Sequence, residues 1–249
     1  MRKERASMPS AGLTALQLVP FAIVGLNTVT ETWDGSPLLL QVNQSATMAQ
    51  TPNGSVVFAY QNEATKNNSG DLMLTSGGGA PIPLTVPALN NQPNILTQNW
   101  KGNNLTVTNV SVNNDTPIRI QAVGPGMPGT NPFNLPIGTP LALSPGATAQ
   151  TNALPQYMQL NFQNTNGQFA VFVLIGGPPD SSGNNAYVIS VNASSNTGPP
   201  SSQPAPPGYY ATTTNNSYSY TFNWGSSVVF VANMSGLTST GSQIVLRAL

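Results

Sequence analysis

Apolar and polar residues alternate along most of this chain in short runs, and turn-forming residues end each run. Between residues 104 and 112, Leu105, Val107, Asn109 and Ser111 share one parity, while Thr106, Thr108, Val110 and Val112 share the other. A period of two sends successive side chains to opposite faces of a strand. The same reading predicts strands at 38–42, 45–50, 55–60, 71–74, 82–86, 117–123, 139–143 and 147–152. A second group is predicted at 157–163, 168–175, 186–192, 218–224, 226–233 and 242–249. Gly, Pro and Asn separate these runs, as in sandwiches and barrels, and leave little room for a long helix.

Two pairs of runs flank turn sequences and are expected to form hairpins. The first joins 45–50 to 55–60 through Thr51-Pro-Asn-Gly54; the second joins 157–163 to 168–175 through Asn164-Thr-Asn-Gly167. The run Phe169 to Ile175 is apolar at both parities, through Phe169, Val171, Val173 and Ile175 on one side and Phe172 and Leu174 on the other. Such a strand is central or lies at an interface.

The expected architecture is all-β: two β-sandwich units, jelly-roll or Ig-like, with an extended apolar N-terminal arm. The arm covers 1–32, the first unit 33–153 and the second 154–249, with the joint near 152–156. A Pro/Ser-rich stretch at 194–208 has the composition of a surface loop with polyproline II character.

Charge changes the picture next. Of 249 residues only 6% are charged, with seven Lys plus Arg balancing seven Asp plus Glu. Solubility therefore rests on Asn, Thr, Ser and Gln. A chain with near-zero net charge resists association poorly. Seven cations, three of them Arg2, Lys3 and Arg5, are too few to expect specific nucleic-acid recognition. No apolar run reaches the roughly 20 residues of a membrane-spanning helix.

Candidate chemistry is sparse. There is no Cys and no His, which removes disulfides, thiolate nucleophiles, Ser-His-Asp triads and the commonest metal ligands. Gly124-Pro-Gly-Met-Pro-Gly129 spells a dinucleotide fingerprint, yet Pro125 and Pro128 remove amide donors and no helix is predicted to open there. The carboxylates Glu4, Glu31, Asp34, Glu63, Asp71, Asp115 and Asp180 include no pair that a motif singles out for acid–base work. Asp180 to Asn185 reads as a turn rather than a calcium loop. Neither Lys66 nor Lys101 has Ser three positions before it, so no S-x-x-K catalyst is present. Asn-x-Ser/Thr sites such as Asn104 and Asn233 are expected by chance in a chain this rich in Asn, Ser and Thr. The expectation is no enzyme, no cofactor and no metal site.

Two features carry the functional expectation. The first is an apolar segment containing Leu13, Leu16, Leu18, Val19, Phe21, Ile23, Val24 and Leu26, interrupted by Pro20. Its basic head resembles that of a signal peptide, but no small-x-small cleavage site follows. Pro20 spoils a helix and is tolerated in an extended arm, so the segment is read as an assembly arm that docks on a neighbour. The second is Tyr218, Tyr220, Phe222 and Trp224, one aromatic face of a strand whose other face is Ser219, Thr221 and Asn223. That face suits a core, a subunit interface or a platform for sugar rings.

Together these features predict a non-enzymatic, self-assembling structural subunit of an extracellular filament, surface layer or virion-like particle. Its partners are copies of itself, and its location is the cell surface, the extracellular space or a virus-like particle. The alternative is a glycan-binding, lectin-like module that uses the aromatic face.

Overall fold

The structure, a computed structural model, describes residues 30–88, 93–152, 157–164, 170–179, 181, 185–193, 210–214, 217–224, 226–234 and 244–248. The described elements are β-strands in four sheets, and two buried cores join three of these sheets face to face as in a sandwich. Sheet I runs in the order β1 (Thr30–Thr32), β3 (Ser45–Met48), β8 (Leu105–Asn109), β5 (Gly70–Ser76) and β6 (Ile82–Val86). Sheet II runs β2 (Leu38–Leu40), β9 (Ile118–Val123), β4 (Val56–Asn62) and β7 (Asn94–Gln98). Sheet III runs β10 (Phe133–Asn134), β12 (Thr148–Gln150), β18 (Phe230–Asn233), β14 (Ala170–Pro179) and β15 (Asn185–Ala193). Sheet IV runs β11 (Leu141–Leu143), β19 (Ile244–Ala248), β13 (Tyr157–Asn164), β17 (Ser217–Asn223) and β16 (Tyr210–Thr214).

Alternation sets the layers. Leu105, Val107 and Asn109 of β8 are buried while Thr106 and Thr108 are half-buried, as a period of two requires. The inner residues of sheet I, including Met48, Leu72, Leu74 and Val107, share one core with Leu40, Val56, Phe58 and Ile120 of sheet II. Trp33 meets Phe58 edge-on at 6.2 Å between ring centroids, and Phe58 stacks on Tyr60 at 5.6 Å. Both geometries are favourable for aromatic pairs.

β4 is buried along its whole length. Val56, Phe58 and Tyr60 face sheet I, while Val57 and Ala59 belong to a second core with Val123, Val173, Ile175, Phe230 and Ala232. Sheet II is therefore covered by sheet I on one side and by sheet III on the other. β14 shows the same two-sided burial: Val173 and Ile175 meet sheet II, and Phe172 and Leu174 are fully buried at the opposite parity. This is the apolar-both-sides strand anticipated from 169–175.

Both expected hairpins are corrected. β3 pairs with β8 and β1, while β4 pairs with β9 and β7, so residues 49–55 cross between sheets. The reason is the core: Met48 and Val56 fill the same interior from opposite layers. Thr51 anchors the crossing by donating its backbone N–H and its hydroxyl to the carbonyl of Asn103, at 3.0 and 2.8 Å. β13 and β14 likewise lie in different sheets, IV and III. The strands at 133–150 pair with those of the C-terminal half, so the change from one pair of sheets to the other falls in residues 124–132.

The halves repeat one another. The order β1-β3-β8-β5-β6 recurs as β10-β12-β18-β14-β15, and β2-β9-β4-β7 recurs as β11-β19-β13-β17, with β16 added. Each half opens on a parallel edge pair, β1 with β3 and β10 with β12. Register then matches residues. Tyr60-Gln61-Asn62 corresponds to Phe162-Gln163-Asn164, because Asn62 pairs with Ile118 and Asn164 with Ile244.

Asn109 corresponds to Asn233, and both are fully buried. Asn109 Nδ2 donates to Leu40 O at 3.0 Å, and Asn233 Nδ2 donates to Leu143 O at 2.9 Å. Their backbone N–H groups donate to Gln44 O and Ala147 O, at 3.0 and 2.9 Å. Their carbonyls accept from Asn43 and Gly146, both at 2.8 Å. Asn43 and Gly146 each have positive φ, 67° and 78°, which suits Asn and Gly and few other residues. One turn geometry locked by one buried amide thus occurs twice.

Candidate assembly surfaces

The residues singled out as an arm, Leu13, Leu16, Leu18, Val19, Phe21, Ile23, Val24 and Leu26, lie outside the described residues. The described chain enters sheet I through β1, an edge strand whose three residues are exposed.

Tyr218, Tyr220 and Phe222 lie on β17, directly opposite Phe162, Leu160 and Met158 in register. Trp224 follows the strand and is fully buried. A Cβ at Gly176 would sit 2.7 Å from its Cε3, so the glycine is the indole's seat. Trp224 offers no surface on which a sugar ring could stack.

The charged groups are dispersed. Arg119 Nε donates to Glu63 Oε1 at 3.0 Å, and Lys66 pairs with Asp115 at the surface. Asp34 accepts from the Ser36 backbone N–H and hydroxyl, at 2.9 and 2.6 Å. Among the described residues no three acids gather into a potential metal site. A groove of about 230 Å³ opens between the β5–β6 turn and the loop after β7, lined by Ser76, Ile82, Asn99, Trp100, Lys101 and Asn103 among others. No carboxylate lines it. Its amides are partly engaged: Asn103 Nδ2 donates to Trp100 O, and Asn99 Oδ1 accepts from the Lys101 N–H.

Those hydrogen bonds from Ser36 hold the Asp34 carboxyl below its usual range. Burial pushes the Tyr60 phenol up, and Asp115 raises the Lys66 ammonium. A lowered carboxyl stabilises the fold above its unfolded value and loses that contribution as pH falls through its folded one. A raised phenol or ammonium acts in the opposite sense, with stability lost as pH rises beyond about 10. All three shifts point away from neutrality, and the chain has no His. The melting temperature is therefore expected to stay constant to about 2 °C between roughly pH 5 and 9, with losses only outside that window. Thermal melts across pH check this.

The outer face of sheet I is the unusual surface. Cross-strand register lines up Ser45, Thr108, Met73 and Pro83 in one row and Thr47, Thr106 and Thr75 in the next. Ser45 Oγ and Thr108 Oγ1 are 2.9 Å apart, as are Thr47 Oγ1 and Thr106 Oγ1. Asp71, which accepts from Thr85 Oγ1 at 3.2 Å, is the one charged residue at these outward positions of β3, β5, β6 and β8. Elsewhere Val112 (91% exposed), Phe133 (56%) and Ile137 (53%) leave apolar surface uncovered. The Thr106 and Thr108 parity was legible in the sequence; that it joins with β3 and β5 into a hydroxyl ladder required the register.

No family model matches the chain, and no curated protein matches it. Among solved structures, it is similar to the CUB1-EGF-CUB2 domains of rat MASP-1, at 7% identity and a TM-score of 0.24, covering 88% of this chain and 99% of that one. It is also similar to the T=1 Penaeus vannamei nodavirus structure, at 10% identity and a TM-score of 0.20, covering 78% of this chain and 79% of that one.

Proposed function

We propose that this protein is a non-enzymatic structural subunit that assembles with copies of itself into an extracellular filament, surface layer or virion-like particle. The observation that carries the reading is the outer face of sheet I, where hydroxyls occupy most positions and Asp71 is the one charge. Solvent-facing sheets ordinarily use charged side chains to discourage association. A face of Ser and Thr resists it far less, because each hydroxyl can donate and accept across a contact as readily as to water. On this reading the chain is built as two jelly-roll or Ig-like units, and the arm from Leu13 to Leu26 adds apolar surface for a neighbour to cover.

The test is sedimentation velocity and electron microscopy of the full chain over a concentration series. Regular polymers are expected, and monomers at every concentration would end the reading. Deleting residues 1–26 is expected to preserve the far-ultraviolet circular dichroism of the β fold and to raise the concentration needed for assembly several-fold. Unchanged assembly would remove the arm from the account.

A further inference from the structure

The duplication sets each turn of one half beside its twin in the other. Counting back from Asn109 and Asn233, Trp100-Lys-Gly-Asn103 corresponds to Trp224-Gly-Ser-Ser227. The two turns close in the same way. Asn103 N–H donates to Trp100 O at 3.0 Å, and Ser227 N–H donates to Trp224 O at 3.1 Å. Gly102 and Ser226, at matching positions, have φ of 73° and 59°. Lys101 also has positive φ, 55°, so both central residues of the first turn are left-handed. That turn type favours Asn, Asp or Gly at both places, because a longer L side chain crowds the carbonyl that follows it. The second turn has Gly225 where the first has Lys101. A lysine therefore stands where backbone preference selects against it, and strain of this kind collects at functional sites.

The seats of the two indoles differ as well. Ser76 follows Thr75 on β5 as Gly176 follows Ile175 on β14. A Cβ at Gly176 would lie 2.7 Å from Trp224 Cε3, so an indole cannot take that seat over a residue that has one. Ser76 has one, and in the first half a groove of about 230 Å³ lies between Ser76 and Trp100.

The groove has a definite chemistry. Lys101 supplies a cation, and among the described residues no carboxylate pairs with it or lines the groove. Asn103 Nδ2 donates to Trp100 O, and its Oδ1 lies 3.6 Å from where a Cβ at Gly77 would be. Glycines at 77–79 keep that wall bare, so a ligand can approach the backbone closely. Gln98, exposed at the rim, adds an amide, while Ile82 and Trp100 add apolar surface. A fitting ligand has an anion for the ammonium, hydroxyls for the amide oxygens and a carbon face for the apolar wall. The volume is below the ~300–1,000 Å³ of drug-sized sites and suits a single ring.

We infer that this groove binds the carboxylate-bearing sugar of an acidic glycan, with Lys101 on the carboxylate. Binding does not depend on self-assembly, and a monomer would bind equally well.

Saturation-transfer difference NMR of the full-length chain with glucuronate and with glucose tests it, since ligand signals are read whether the chain is monomeric or assembled. The two sugars differ by a carboxylate against a hydroxymethyl group. Glucuronate is expected to bind saturably and glucose about fivefold more weakly. Lys101→Gly and Lys101→Asn suit the left-handed turn. Their melting temperatures are expected to equal or exceed that of wild type, while their glucuronate binding falls to the level of glucose. Lys101→Arg, which retains the charge, and Lys66→Gln, away from the groove, are expected to bind glucuronate like wild type. No saturable binding by wild type, or undiminished binding by Lys101→Gly and Lys101→Asn, would overturn the site. Inorganic phosphate competing as well as glucuronate competes with itself would show a site for any anion and overturn the sugar assignment.

Discussion

Trp224→Ala is expected to destabilise the protein by about 3–5 kcal/mol. The indole is fully buried, and its ring edge lies where a Cβ at Gly176 would be, so the surrounding β14 backbone is shaped to it. Removing the ring deletes its transfer free energy and leaves a void that a packed sheet fills only in part. For a chain of this length the midpoint should fall by roughly 10 °C or more. Gly176→Ala attacks the same seat from the other side: a methyl 2.7 Å from Cε3 forces the indole or the strand to move. Differential scanning calorimetry of both variants checks the pair. A Trp224→Ala melt within about 2 °C of wild type would mean that the ring is not packed as described.

The second large effect belongs to the buried amides. Asn109 Nδ2 donates to both Leu40 O and Thr116 O, and its Oδ1 accepts from the Ser111 N–H and hydroxyl, at 3.1 and 2.6 Å. Asn109→Ala leaves these groups without their partner in a buried site. Each orphaned polar group costs on the order of 1–3 kcal/mol, so a loss of about 3 kcal/mol or more is expected. Asn109→Asp keeps the acceptor oxygens but buries a charge and removes both donations, and is expected to be no milder. Asn233→Ala is expected to be destabilising too, since it takes the buried donor from Leu143 O. Urea titrations measure both losses. Equal, small losses for Asn109→Ala and Asn233→Ala would contradict the account of the turn lock.

These residues also show what the sequence could reveal. The alternation of Leu105, Val107 and Asn109 against Thr106 and Thr108 was plain, and so was the two-sided character of Phe172 to Ile175. Turn chemistry misled at residues 51–54, because Pro-Asn-Gly suits a crossing between layers as well as a hairpin. What decides is which core the flanking residues fill, and Met48 and Val56 fill one core from opposite sheets. That is a long-range fact absent from the local pattern.

The repeat escaped sequence reading for a related reason. Identity survives where a buried hydrogen bond demands it, as at Asn109 and Asn233. It is lost on the outer faces, where Thr106 corresponds to Phe230 and Thr108 to Ala232. One position is covered by another sheet and its twin is not, so the two are under opposite demands for polarity. The aromatic row was visible as an alternation, but only the burial of Trp224 shows how one member of it is placed.

Electron microscopy of the purified full-length chain, with sedimentation velocity on the same samples, tests the central claim most directly. The account predicts regular polymers, as filaments, layers or closed particles, that grow with concentration. A single monomeric boundary at every concentration, with no ordered particles on the grid, would contradict it.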